Sequence, residues 1–334
     1  MRIGDVYYMN IVYASDNNFV SILGISMISL FENNTDENIT VYILSDGIED
    51  KNKDILRELG HKYHQKVEIF EVNVDDYTTI KLDILTWSRA AFSRMFIGTI
   101  LEQFDLKRVI YLDCDIAING NIRGLWDLNL KNHVLGMAID PVGKGHKKNV
   151  GISQNKPYYN SGVLVIDMDL WKKKECEKRL QEFAIKNNGK TPYVDQGLIN
   201  GALKNYIIPI PLRYNLLTVY CDYSYEELLI YRKPTGVFYS KNEIESAKKS
   251  PIIIHYTKSI FTERPWIKGS THKKKNIWEK YKNLSPWKDE ENKPVTLRGI
   301  KKHYVNISNR LPRRVNVHIQ GFLHSIIKPI IDAK

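Results

Sequence analysis

Cysteine is scarce in this 334-residue chain: only Cys114, Cys176 and Cys221 occur, an odd and widely spaced set. That spacing excludes a disulfide framework and a zinc-ligand pattern, and it suits a reducing cytoplasm. Long hydrophobic runs are missing too, since none approaches the ~18 residues of a membrane-spanning helix. The first ten residues carry an early acid, Asp5, and no apolar segment, which argues against a secretory signal peptide. Neither GxGxxG nor GxxxxGK[ST] occurs, so a standard dinucleotide site and a P-loop lose support. No internal repeat or low-complexity tract stands out. Acids are outnumbered, with 38 Asp+Glu against 49 Lys+Arg and a net charge of +11. Hydrophobic residues at 43% and charged residues at 26% are ordinary globular usage and rule out wholesale disorder. The length allows one large α/β domain with an appendage, or two domains.

The positive charge is concentrated at one end. From residue 294 onward, Arg298, Lys301, Lys302, Arg310, Arg313, Arg314, Lys328 and Lys334 face a single acid, Asp332, leaving +7 of the total in this tail. Apolar residues such as Val315, Ile319, Phe322, Ile326 and Ile330 lie between them. A basic amphipathic segment can lie on an anionic membrane, and it can equally be a solvated helix packed on its own domain. Nucleic acid is not expected, because no zinc-finger spacing or RNA-recognition signature accompanies the charge. A change of character after Thr257 sets a boundary near 270, giving a catalytic unit over 1–270 and a basic segment over 271–334.

Short β-rich runs alternate with helical patterns through most of the chain. Strands are predicted at Ile11–Ala14, Thr40–Leu44, Val67–Val72, Arg108–Leu112, Val134–Ile139, Val163–Ile166 and Ile252–Ile254. Helices are predicted at Phe19–Phe31, where nearly every residue is apolar, and at about Asp50–Leu59. Alternation of this kind means an α/β fold with a mainly parallel sheet, whose ligands collect at the strand C-termini.

The sharpest local signal is an apolar strand running into Asp113-Cys114-Asp115. On an extended backbone the two acids point one way and Cys114 the other. Together they could share a divalent cation, although a pair of turn or capping acids is the ordinary explanation of Asp-x-Asp. Far downstream, Ile252–Ile254 ends at His255-Tyr256. An imidazole beside Asp115 would complete a mixed O/O/N set that leans towards Mn²⁺ over Mg²⁺. Tyr158-Tyr159-Asn160-Ser161-Gly162 reads by itself as a turn, Tyr193-Val194-Asp195-Gln196-Gly197 as an Asp N-cap opening a helix, and Arg89 and Arg94 as a solvated helix face.

Their order along the chain is more specific than any one of them. Ala-x-Asp after the first strand, Arg in a helix, Asp-x-Asp, Tyr-x-Asn-Ser-Gly, Asp-Gln and a late His-Tyr resemble the family 8 retaining glycosyltransferases over about residues 10–267. That family includes bacterial α-galactosyl- and α-glucosyltransferases of surface polysaccharides and, more distantly, glycogenin. The resemblance implies the GT-A fold, a single Rossmann-like α/β domain, with a UDP-sugar donor and Mn²⁺. By resemblance, Asp113, Asp115 and His255 hold the metal, and Ala14, Asp16 and Asn18 hold uridine, with Phe19 against the uracil ring. Cys114 belongs with the nucleotide-sugar contacts. Arg94, Asn160, Asp195 and Gln196 contact the donor sugar as the catalytic set, and Asp140 lies near donor or acceptor. The family's His-Tyr/Phe-x-Gly-x-x-Lys-Pro-Trp is replaced here by a longer run, His255 to Trp266, without the Gly. Lys258 or Arg264 would then meet the diphosphate, with Arg264 favoured because Pro265-Trp266 anchors the comparison. The family's basic tails favour peripheral attachment of 294–334 to the inner face of the cell membrane.

These readings point to transfer of galactose or glucose from UDP-galactose or UDP-glucose to a glycan, lipid-linked or protein-linked acceptor. The residue placed nearest the far face of the anomeric carbon is Gln196, and an amide is a poor nucleophile. A front-face displacement is therefore expected, with Asp195 as the carboxylate to test otherwise. A metal-dependent phosphohydrolase or nucleotidyltransferase could use the same Asp-x-Asp, and a non-enzymatic binder of nucleic acid or membranes would explain the charge alone.

Overall fold

A computed structural model describes residues 8–77, 89–189, 191, 193–259, 261–295, 305, 307, 308 and 310–333. Of the residues singled out above, Asp5, Arg298, Lys301, Lys302 and Lys334 lie outside the described residues. Seven strands form the central sheet: β1 (Tyr8–Asp16), β2 (Asn38–Asp46), β3 (Lys66–Glu71), β4 (Arg108–Leu112), β6 (Leu135–Ile139), β7 (Tyr159–Asp167) and β8 (Ile207–Pro209). Their order is β3-β2-β1-β4-β7-β6-β8. All neighbours run parallel except β7, which is antiparallel to both β4 and β6. The expected mainly parallel α/β sheet is thus present, with one reversed strand in it. A second sheet, β5-β10-β9, joins β5 (Ile116–Ile118), β9 (Leu216–Leu217) and β10 (Ile253–His255).

Strand alternation builds two hydrophobic layers. Val12, Tyr42, Val109, Tyr111, Leu164 and Ile166 face one layer, and Ile11, Tyr13, Ile43, Ile110, Val163 and Val165 face the other. Helix α1 (Val20–Glu32) is apolar on nearly every side because it is buried on nearly every side. The sheet lies on one flank, and Trp287 packs so tightly on Gly24 that a Cβ there would enter the indole ring. Its serines do not break the layer, because they are satisfied: Ser29 Oγ donates to Ser26 O at 2.6 Å and accepts from Ile118 N at 2.8 Å. Helix α2 (Asp50–Lys62) is amphipathic and buries only Leu56, Leu59 and Gly60.

Beyond residue 270 the described chain divides in two. Trp278, Tyr281 and Trp287 join the same layer as α1. The second part is one helical run, Arg313–Phe322 continued through a π-helical turn Leu323–Ile327 to Lys328–Asp332. One side of it packs on helix Tyr225–Arg232, burying Val317 and Gly321. The other side leaves Val315, Ile319, Phe322 and Ile330 exposed.

Candidate active site

Register places the site. Ile11 and Val12 of β1 pair with Ile110 and Tyr111 of β4, so the last residues of β1, Ala14–Asp16, and the turn that follows β4, Asp113–Asp115, lie side by side. Reversed β7 brings its first residues to the same edge, where Gly162 O accepts from Asp113 N at 2.8 Å. Strand β10, antiparallel to β5, delivers His255 opposite Ile116, and Asp115 O accepts from Tyr256 N at 2.9 Å. Asp113–Asp115 is the turn between β4 and β5 and not extended strand, yet both carboxylates reach one imidazole. His255 Nε2 lies 3.0 Å from Asp115 Oδ1 and 3.6 Å from Asp113 Oδ2. One ligand atom from each of the three falls within 4.8 Å of the others.

The surroundings fit a divalent cation on two counts. Gly162 has an ordinary strand backbone, but a Cβ there would overlap the His255 ring and come within 2.8 Å of Asp113 Oδ2, so the cradle exists only with glycine. His255 Nδ1 lies 3.0 Å from Asn215 Oδ1, which can only accept, so the proton sits on Nδ1 and Nε2 is turned to the carboxylates. Burial opposes charge on Asp115, but His255 and Arg264 outweigh it and hold its carboxyl down to about 2.

A chain of amides runs from this centre. Asn215 Nδ2 donates to Asn160 Oδ1 at 2.9 Å, Asn160 Nδ2 to Gln196 Oε1 at 2.9 Å, and Gln196 Nε2 to Asp140 Oδ2 at 3.1 Å. The other Asp140 oxygen, Oδ1, is buried with no partner among the described residues, a ready acceptor for a hydroxyl. Asp195, the first residue of helix Asp195–Leu203, accepts from Ser161 Oγ at 2.9 Å. Buried Arg94 lies 2.8 Å from Asp113 Oδ1 and 3.4 Å from Asp195 Oδ2, and donates to Ser161 O at 2.8 Å. Burial works against the Arg94 charge, but the two carboxylates outweigh it and raise its pKa. Burial likewise raises the Asp195 carboxyl, opposed by Arg94.

Three local expectations change. Arg89–Phe96 is a 3₁₀ helix, and Arg94 on it is buried and ion-paired where a solvated face was expected. Asn160–Gly162 is not a turn but the opening of β7. The N-cap before helix 195–203 is Val194, at φ 50°, and not an aspartate.

At the β1 end, Ala14 O accepts from Cys114 Sγ at 3.2 Å, and Asp16 accepts from Asn18 N at 2.9 Å, capping the turn 17–19. Cys114 is buried, and burial pushes its thiol pKa up. Asn18 is exposed, while half-buried Phe19 carries Lys293 Nζ 5.9 Å from its ring centre. Arg264 reaches Asp115 Oδ2 at 2.8 Å, whereas Lys258 is exposed and pairs with nothing among the described residues. Asn215 was missed by sequence reasoning, because it sits in no motif and gains its role only through the fold.

The sheet, the Asp-Asp-His cluster at its edge and the amide chain beside it belong to a GT-A glycosyltransferase fold. The galactosyltransferase LgtC, solved in complex with donor and acceptor sugar analogs, has the same fold, with a TM-score of 0.68 at 22% identity over 89% of this chain and 100% of that one. The chain belongs to glycosyl transferase family 8, whose sequence profile matches residues 10–269. Among curated relatives, General stress protein A of Bacillus subtilis is 25% identical over 84% of this chain and 94% of its own. Lipopolysaccharide 1,2-glucosyltransferase of Escherichia coli K12 is 27% identical over 84% and 80%. The protein is a glycosyltransferase, and the hydrolase, nucleotidyltransferase and non-enzymatic readings lose their ground.

Proposed function

We propose that this glycosyltransferase moves galactose or glucose, with retention, from a UDP-sugar to a glycan or lipid-linked acceptor, and that it depends on Mn²⁺. The observation that carries the reading is the single hydrogen-bonded unit joining Asp113, Asp115 and His255 to Gln196 and Asp140. Asp113, Asp115 and His255 would hold the ion, which when bound supplies positive charge to the diphosphate. Arg264, beside Asp115, adds a fixed cation where charge builds on the departing UDP. Ala14, Asp16, Asn18 and Phe19 receive the uridine.

Gln196 cannot serve as a nucleophile at neutral pH, and both its amide ends are already engaged. Asp195 is held by Ser161 and Arg94, and leaving them would uncover a buried cation. These ties favour front-face displacement, in which the leaving phosphate oxygen takes the proton of the acceptor hydroxyl. Asp140 Oδ1 orients a hydroxyl of the donor or acceptor sugar.

The exposed stripe Val315, Ile319, Phe322 and Ile330, with Arg310 and Arg314 nearby, supports peripheral attachment of the tail to an anionic membrane. Among the described residues no helix is long and apolar enough to cross a membrane. The test is UDP release from a panel of UDP-sugars, without acceptor, before and after chelation. Slow Mn²⁺-restored hydrolysis of UDP-galactose or UDP-glucose is expected. Activity untouched by chelator, or confined to another nucleotide, would overturn the proposal.

A further inference from the structure

The residues just before Asp195 and Gln196 stand in a costly conformation. Tyr193 and Val194 both have positive φ, 57° and 50°, and valine is β-branched, so this backbone is a genuine outlier. Such backbone persists only where the surroundings over-determine it, and it clusters at functional sites. Locally, Thr191 Oγ1 donates to Val194 O at 2.6 Å, and Tyr193 O accepts from Gln196 N at 3.1 Å, so this turn directly sets the start of helix 195–203.

The Tyr193 ring packs against Val142, Val150, Ile152 and Tyr158 and beside His146, and its hydroxyl is held from the far end of the chain. Tyr193 OH donates to His324 Nε2 at 3.0 Å, and Lys328 Nζ lies 5.0 Å from the centre of the Tyr193 ring. Arg232 also donates to His324 Nε2, at 2.7 Å. Arginine can only donate, so Nε2 is an acceptor whose single lone pair Tyr193 and Arg232 share, and His324 is neutral with its proton on Nδ1, which is buried without a partner among the described residues. The backbone around it is fixed to the catalytic body: His146 Nε2 donates to His324 O at 2.9 Å, Ser325 Oγ to Tyr231 O at 2.9 Å, and Asn149 Nδ2 to Pro329 O at 2.7 Å. His324 sits in the π-helical turn Leu323–Ile327, a rare geometry that recurs at functional sites.

We infer that the C-terminal helix completes the active site: His324, through Tyr193, is a positioning residue that holds Asp195 and Gln196 in register with the metal centre. It rests on the glycosyl-transfer reading above. The tail lies beyond every residue that contacts substrate in that reading, yet it supports the strained turn on which two of them depend.

The test uses the full-length protein with Tyr193→Phe, His324→Leu, their double variant and His324→Gln, whose side-chain oxygen can replace Nε2 as acceptor. Mn²⁺-dependent UDP-sugar hydrolysis gives kcat and donor KM, calorimetry gives UDP affinity, and hydrogen exchange follows residues 193–198. Tyr193→Phe and His324→Leu should each lower kcat about three- to tenfold, the worth of one hydrogen bond. Donor KM and UDP affinity should stay within about twofold. The double variant should be no worse than the poorer single one, and His324→Gln should recover most of the loss. Wild-type kcat in Tyr193→Phe, additive losses, or a fall in UDP affinity that tracks melting temperature would overturn the inference. If the wild type hydrolyses no UDP-sugar, the donor reading fails separately. Exchange then decides: faster amide exchange at 193–198 in Tyr193→Phe supports the clamp, and unchanged exchange refutes it.

Discussion

Gly162→Ala is the most discriminating single change at the proposed metal centre. The glycine is not needed for backbone conformation, being an ordinary residue of β7. Alanine would therefore keep the strand and add one methyl group inside the cradle. Its Cβ would lie 2.8 Å from Asp113 Oδ2, while ordinary contact begins at 3.4 Å, and it would also overlap the His255 ring. The carboxylate would have to retreat by roughly 0.6 Å, three times the ~0.2 Å tolerance of a metal–ligand distance. The imidazole cannot slide away freely, because Asn215 fixes its Nδ1 at 3.0 Å. Mn²⁺ affinity should therefore fall by at least the roughly 10–100-fold typical of a disturbed outer shell. Overpacking should cost about 1–3 kcal/mol of stability. The assay is a Mn²⁺ titration read by UDP-sugar hydrolysis and by calorimetry, alongside thermal melting. Gly120→Ala, whose Cβ would meet Ile252 at 3.6 Å, is the tolerated control. Unaltered Mn²⁺ dependence in folded Gly162→Ala would show that Asp113 and His255 do not close on a common ion.

Other outcomes follow from the same geometry. Asn215→Leu removes the partner of His255 Nδ1, and Mn²⁺ affinity should drop about 10–100-fold with melting still cooperative; an unchanged titration would contradict the assignment. Arg264→Ala should slow donor cleavage about a hundredfold, while Lys258→Ala changes it less than about twofold, and the reverse order of kcat effects would move the phosphate cation to Lys258. Burial, reinforced by Arg232 and Lys328 at one site and by Lys274 and Lys273 at the other, lowers His146 and His272 from 6.5 to about 4. The unfolded chain then takes up protons first, so their contribution is complete above pH 6.5 and is lost as pH falls towards 4, roughly 3 kcal/mol for each. Melting temperature should decline over that window, and His146→Gln/His272→Gln should flatten the decline; an equally steep profile in the double variant would refute the cause.

Much of the fold was readable because alternation and burial leave a direct mark on residue choice. Seven predicted strands all exist, and the nearly wholly apolar run after Phe19 is the buried helix α1. Strands β5, β8 and β9 escaped, being two or three residues long with too few positions to display a period. Asp113 and Asp115 stood out because two adjacent acids after an apolar strand are electrostatically awkward. That His255 would close on them depended on β10 pairing with β5, a contact with no local signature. Asn160-Ser161-Gly162 looked like a turn because its composition favours turns. In the structure its asparagine serves the amide chain and its glycine makes room for the imidazole. Asn215 and His324 were invisible for one shared reason: each acts on a residue remote in sequence, through an atom that only tertiary contact brings near.

The amide chain has a direction. From His255 through Asn215, Asn160 and Gln196 to Asp140, every link gives a proton forward and takes one from behind. Two backbone groups of β7 lock that direction: Gly162 N also donates to Asn160 Oδ1 and Ser161 N to Gln196 Oε1, so neither amide can turn without setting donor against donor. Gln196 is thereby turned with Nε2 to the Asp140 carboxylate, and at the other end the file presents Asn215 Oδ1 to His255, which keeps the ring proton on Nδ1. Asn215→Asp would break the file at its first amide: a carboxylate there still accepts from His255 Nδ1 but has no proton to give Asn160 Oδ1, which would keep only the Gly162 N–H.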